Sequence, residues 1–141
     1  MKDLATATER LKRSSDSLVV VKDGNILIST QKGGIRPLFD AVSELGYKME
    51  GSCIADKVIG KAAAALCISA GVKGVYTPVM SRAAKGLLAN NGIIHSTHLL
   101  VPWILNKDRS DLCPLEKLTM ETDNWKDIVE IVKEFLSKPS E

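Results

Sequence analysis

The sequence predicts a layered α/β domain, with a sheet covered by helices on both faces. Three observations carry this. Two strongly apolar strands flank Asp23-Gly24 without polar alternation, which marks strands buried on both sides. Helical and strand-like stretches then alternate along the chain, and a late apolar stripe at helical spacing closes it.

Leu4, Ala7 and Leu11 recur at spacings of three and four among charged residues, so the first element is a short amphipathic helix over residues 2–15, ending near Ser14-Ser15. Leu18–Lys22 and Asn25–Ser29 form a hairpin, because Asp-Gly accepts the positive φ angles of a two-residue turn. After Gly33-Gly34, Pro37 suits a first helical turn, and Leu38, Phe39, Val42 and Leu45 continue that helix to Gly46. Ala55 to Ala70 carries only Asp56, Lys57 and Lys61 as charges and is followed by Gly71, so it reads as one buried central helix. Val72 to Thr77 is a strand, and Ser81 caps a helix that stops at Asn90-Asn91-Gly92. Ile93 to Val101 is the next strand. Pro102 to Thr122 shows no periodicity, and irregular segments of that length in compact domains are often functional. A last helix over 124–137 carries Trp125, Ile128, Val129, Val132, Phe135 and Leu136 on one stripe, capped by Asp123 or Asn124, with a frayed tail from Lys138.

The chain's 141 residues, 45% of them hydrophobic, suit one domain with a core that needs neither disulfides nor a structural metal. Cys53, Cys67 and Cys113 are odd in number and lack any CxxC pair, which fits a reducing, cytoplasmic setting. The first fifteen residues hold no apolar stretch to read as a secretory signal. The longest strictly apolar run, Ala62 to Ile68, is far short of the roughly 18 residues that a membrane span requires. A net charge of +2 with interspersed signs, and 4% aromatic residues, give no basic stripe or stacking platform for nucleic acid.

Gly51 and Gly60-Lys61 do not make a phosphate-binding loop, since eight residues rather than four separate the glycines and Ala62 follows the lysine. On the central helix as read here, Ser52 lies just ahead of free N–H groups, and Lys57 and Lys61 share one face at i, i+4. That arrangement suits an anion; alternatively, Ser52 or Asp56 caps the helix while both lysines extend to solvent. His95 and His98, three apart on a strand, point to opposite faces and form no metal pair, and no metal or other cofactor is expected. Asn106 to Asp111 lacks the glycine and distal glutamate of a calcium loop. Cys113 is the one cysteine in the irregular segment and the weak candidate for a nucleophile, although Asp108, Asp111 and Glu116 around it disfavour a thiolate.

Gly51-Ser52-Cys53-Ile54-Ala55-Asp56-Lys57-Val58-Ile59-Gly60-Lys61-Ala62-Ala63, Gly71-Val72, Val75-Tyr76, Ser81, and the run Asn106-Lys107-Asp108-Arg109-Ser110-Asp111-Leu112-Cys113-Pro114-Leu115-Glu116 resemble an uncharacterised bacterial and archaeal domain family with a cytidine-deaminase-like fold. The resemblance covers residues 18–118, with the first and last helices as additions to a single domain over 1–141. It implies a three-layer architecture, a mixed sheet with a leading hairpin and flanking helices. Deaminases of that fold carry His or Cys, any residue, then Glu on one helix and Pro-Cys-x-x-Cys at the next. Here the first motif is missing, and Pro78 is followed by Val79-Met80-Ser81. The resemblance therefore implies a zinc-free pocket between two helix N-termini. Ser52, Asp56, Lys57, Lys61 and Ser81 are its candidate ligand-binding residues, with Asn106, Asp108, Asp111, Cys113 and Glu116 on a covering loop. The expected partner is a small anionic or nucleotide-like molecule. The alternatives are a cysteine enzyme using Cys113, and an interaction module that self-associates through its first helix or a sheet edge.

Overall fold

The computed structural model describes residues 2–138. Its elements are α1 (Lys2–Arg13), β1 (Leu18–Lys22), β2 (Asn25–Thr30), α2 (Arg36–Leu45), a 3-10 turn (Gly46–Met49), β3 (Cys53–Asp56), β4 (Val58–Ile59), α3 (Lys61–Ala70), β5 (Gly74–Ser81), α4 (Arg82–Asn90), β6 (Ile94–Val101), α5 (Pro114–Leu118) and α6 (Trp125–Ser137). Apart from Lys138, the tail expected to fray lies outside the described residues. Among the described residues, no helix is long and apolar enough to cross a membrane.

The sheet is mixed. β1 pairs antiparallel with β2 and with β3, while β3, β4 and β6 all run parallel to β5. At the leading turn Asp23 and Gly24 both have positive φ, as a two-residue hairpin demands, and the Asp3 carboxylate of α1 accepts both of their N–H groups at 2.9 Å. The central strands β1, β3 and β5 bury both faces, whereas β2, expected to be covered on both sides, lies at the edge of the sheet with none of its residues buried. Val19 and Val21 join Ala55 and Tyr76 beneath Ala7 and Leu11 of α1. Leu18, Val20, Ile54 and Val75 face the other way, into a larger core with Leu38, the alanines of α3, Leu88, Ile128 and Val132. Three layers result: α1, the sheet, and the remaining helices.

The expected helix from Ala55 to Ala70 is corrected: residues 53–59 are strand, and α3 begins only at Lys61. Ile54, Val58 and Ile59 are β-branched, and the apolar run that suggested a buried helix equally suits a central strand. Consequently Lys57 and Lys61 do not share a helical face, and neither Ser52 nor Asp56 caps α3, whose N-cap is Gly60. β5 likewise differs from expectation, running through Pro78 to Ser81.

That proline explains a gap in the sheet. β3 and β4 pair with β5 at one constant offset, and the same offset sets Lys57 opposite Pro78. Proline has no N–H to donate to a ladder, so pairing lapses there. The Thr77 hydroxyl exchanges local hydrogen bonds with Val79, and the Asp56 carboxyl accepts N–H groups of Val58 and Lys57 across the gap. β3 and β4 are thus one strand interrupted where two charged residues sit.

Candidate functional site

A cavity of about 310 Å³ opens beside this interruption, at the carboxyl end of β3, where open α/β sheets place their ligands. Its walls come from four parts of the chain. Ser17 and Leu18 enter with β1, Lys32 to Ile35 with the loop before α2, Gly60, Ala62 and Ala63 with the start of α3, and Ile104, Cys113, Leu115 and Glu116 with the segment after β6. Two other depressions, of about 470 and 390 Å³, are larger but shallower. The first lies between the start of α1 and the hairpin turn, where Lys2, Asp3, Asp23 and Lys73 are surface charges and Asp3 is engaged by the turn N–H groups, and the second lies beside Tyr47 and Gly71.

Asp56 lies at the floor. Burial pushes its carboxyl up to about 7, against the opposing pull of the Val58 and Lys57 N–H groups. The same site raises the Cys67 thiol, chiefly by burial and then by the negative charge of Asp56. Glu116 is buried at the wall, and its Oε2 accepts the Ile104 N–H at 2.9 Å. Its Oε1 sits over Gly60. A Cβ at position 60 would lie 3.1 Å from Oε1 and 2.9 Å from Ile104 Cγ1, so glycine is required by close approach, not by its φ angle. Cys113 is half-buried at the start of α5, donating its N–H to the Ile104 carbonyl at 3.0 Å. Lys32 and Lys57 are exposed at the mouth.

Of the residues singled out from the sequence, Asp56, Lys57, Cys113 and Glu116 meet at this cavity. The others lie elsewhere. Ser52 precedes β3 at the opposite end of that strand; it is fully buried, and its Oγ has no hydrogen-bond partner among the described residues. Lys61 is buried but turned outward, donating to the Thr119 carbonyl at 2.9 Å and pairing with Asp123 at 2.9 Å. Ser81 caps α4, its Oγ accepting the Ala84 N–H at 3.1 Å. Asn106 and Asp108 both accept from the Ser110 N–H in a tight turn, and Asp111 pairs with Lys117. The sequence reading missed Lys32 to Ile35, Gly60 and Ile104. Only the Gly33-Gly34 pair gave a local hint, as a loop into which no side chain intrudes.

The side chains do not fit zinc. The first turn of α3 offers Lys61 and alanines, and α4 opens on Ser81, Arg82 and Ala83. His95 binds the Ile93 carbonyl at 2.9 Å and approaches Lys85, whereas His98 stacks edge-on against Tyr76 on the other face of the sheet. Among the described residues, no three His, Cys, Asp or Glu side chains converge to hold a metal ion.

The architecture defines a deaminase-fold α/β domain. RibD of Acinetobacter baumannii superposes with a TM-score of 0.50 at 18% identity over 69% of this chain, which spans about a third (34%) of the RibD chain. The dCMP deaminase of cyanophage S-TIM5 aligns at 17% identity over 68% of this chain and 94% of its own, with a TM-score of 0.47. The chain belongs to the TM1506 family, a domain of unknown function (DUF1893), whose family model matches residues 6–136. The crystal structure of a family protein from Thermotoga maritima matches with a TM-score of 0.86 at 28% identity, over 94% of this chain and 89% of that one. No curated protein sequence matches.

Proposed function

We propose that this domain binds a small anionic or nucleotide-like molecule in the cavity beside the β3–β4 interruption, without zinc. The observation that carries the reading is the composition of that cavity. Leu18, Ile35, Val58, Ala62, Ala63, Ile104 and Leu115 supply apolar walls for a ring, Asp56 and Glu116 supply polar contacts in its interior, and Lys32 and Lys57 stand at the mouth. The Glu116 carboxylate already occupies the positive end of the α3 dipole, so an anionic group is better served by the two lysines than by the α3 N-terminus. The reading takes the cytoplasm as the setting, and a small molecule rather than nucleic acid or a membrane as the partner.

The test is thermal unfolding against nucleosides, nucleotides and sugar phosphates. A ligand at a hundredfold over its dissociation constant adds roughly 2.7 kcal/mol, a shift of several degrees for a domain of this size. Phosphate-bearing compounds are expected to stabilise, and Lys32→Ala with Lys57→Ala to weaken them while sparing the matching nucleoside. A panel that leaves the melting temperature unchanged throughout refutes the reading.

A second reading makes Cys113 a covalent nucleophile in the same cavity, and its place among the residues that line it together with Asp56 favours it. The thiol proton passes to the Asp56 carboxylate, sulfur bonds to an electrophilic carbon, and the displaced electron pair leaves with the departing group. Cys53 and Cys67 are buried, so alkylation of the folded protein reports on Cys113. Labelling no faster than that of an unfolded-peptide cysteine, or unaffected by Asp56→Asn, removes this reading.

A further inference from the structure

β6 is the outermost strand beside β5 and, among the described residues, pairs with no other strand. None of its eight residues is buried, whereas most of β5 beside it is. Ile94 and Leu99 are 56% and 54% exposed. α1 packs over β1, β3 and β5 and not over β6, where Ile94, Ser96, His98, Leu99 and Leu100 are exposed.

Natural edge strands are usually guarded by a charge, a proline or a bulge. The β6 sequence, Ile-His-Ser-Thr-His-Leu-Leu-Val, has no Asp, Glu, Lys, Arg, Pro or Gly, and it keeps one register along β5. The opposite edge is different. β2 has six residues, a register shift against β1 at Val20/Val21, and the charged neighbours Lys22, Asp23 and Lys32.

We infer that β6 pairs antiparallel with β6 of a second copy of this chain, across a two-fold axis, making one sheet continuous through both copies. Charge selects that occupant. In a two-fold contact the side chains at the axis meet their own copies, so a lysine or aspartate there repels itself, and a strand without charges incurs no such cost. A charged peptide finds no counter-charge along β6. Pairing β6 with β2 of another copy is head-to-tail and does not close. Size sets the strength. At about 3.3 Å per residue the edge is about 26 Å long and about 10 Å thick, presenting on the order of 300 Å². Trp103 and Leu105, exposed beyond the strand, enlarge it. The total stays below the roughly 800 Å² per partner of a standard interface, so the dimer is weak and reversible.

The test is sedimentation of the full chain from about 1 to about 300 μM, with the fold of each variant checked by its unfolding transition. Wild type is expected to pass from monomer to dimer. The double variant Ile94→Lys/Leu99→Lys adds one positive charge to each face of the exposed edge, so that four lysines crowd the paired strands, and it is expected to weaken association at least tenfold with an unchanged melting temperature. Ile26→Lys on β2 leaves the dimer intact. A wild type that stays monomeric, a dimer indifferent to the double variant, or a growing polymer abolished by Ile26→Lys overturns the inference.

Discussion

Replacing Asp56 by asparagine tests whether the cavity floor holds a costly carboxyl. Burial raises that group from 3.8 to about 7, so between those values the folded chain keeps a proton that the unfolded chain has released. Its contribution therefore favours the folded state below pH 4, declines as pH rises, and levels off above pH 7. At about 1.4 kcal/mol per pKa unit the shift corresponds to about 4 kcal/mol, and water in the adjoining cavity reduces this to about 2–4 kcal/mol. Asparagine is nearly isosteric, and its Oδ1 still accepts a backbone N–H across the gap. The variant is expected to match wild type near pH 4 and to exceed its stability by about 2–4 kcal/mol at pH 8.5. Urea unfolding followed by fluorescence of Trp125, which packs against the core, measures both, and the difference between the proteins cancels every other titrating group. A wild-type-minus-variant difference that does not change with pH refutes the argument. If it holds, Asp56 is a residue kept at the expense of stability, as functional groups commonly are.

Gly60→Ala drives a Cβ to 2.9 Å from Ile104 and is expected to cost about 1–3 kcal/mol in urea unfolding, with a loss of any ligand-induced stabilisation. Lys61→Ala leaves the Thr119 carbonyl without its side-chain donor and should cost about 1–3 kcal/mol. By contrast, Asp123→Ala removes only an exposed partner and should cost under about 1 kcal/mol; equal losses would show that the ion pair dominates. Ser81→Ala removes the α4 cap and should lower the urea midpoint by the equivalent of about 1 kcal/mol without changing the slope.

Local chemistry was legible in the sequence wherever a turn or cap announced it. Asp23-Gly24 placed the hairpin, Gly46 and Gly71 ended α2 and α3, and Ser81 and Asn124 began α4 and α6. The start of α3 was not legible, because a continuous apolar run has no period by which to separate a buried strand from a buried helix. Only Pro78, twenty residues away in sequence from Val58, interrupts β3 and β4, and no local pattern reveals a partner across a sheet. α5 is too short for a period to emerge. Asp56 and Lys57 stood out as charges in an apolar run, and Cys113 and Glu116 as part of an irregular segment. Gly60 passed unnoticed as a functional position because its requirement comes from Ile104 and Glu116, distant in the chain.

The two ends of the stretch from Ile104 to Thr119 are fastened at one place. The Ile104 N–H is held by Glu116, whose other oxygen rests over Gly60, and the Thr119 carbonyl is held by Lys61, the next residue along. Such a stretch opens cooperatively or stays shut, since releasing either end loosens the same helix start. Amides at Ile104, Cys113 and Thr119 should then exchange with deuterium at a common rate, faster than global unfolding permits and slower than that of free loops. Gly60, Ile104 and Glu116 all line the cavity, so the same few hydrogen bonds at the first turn of α3 also hold one of its walls in place.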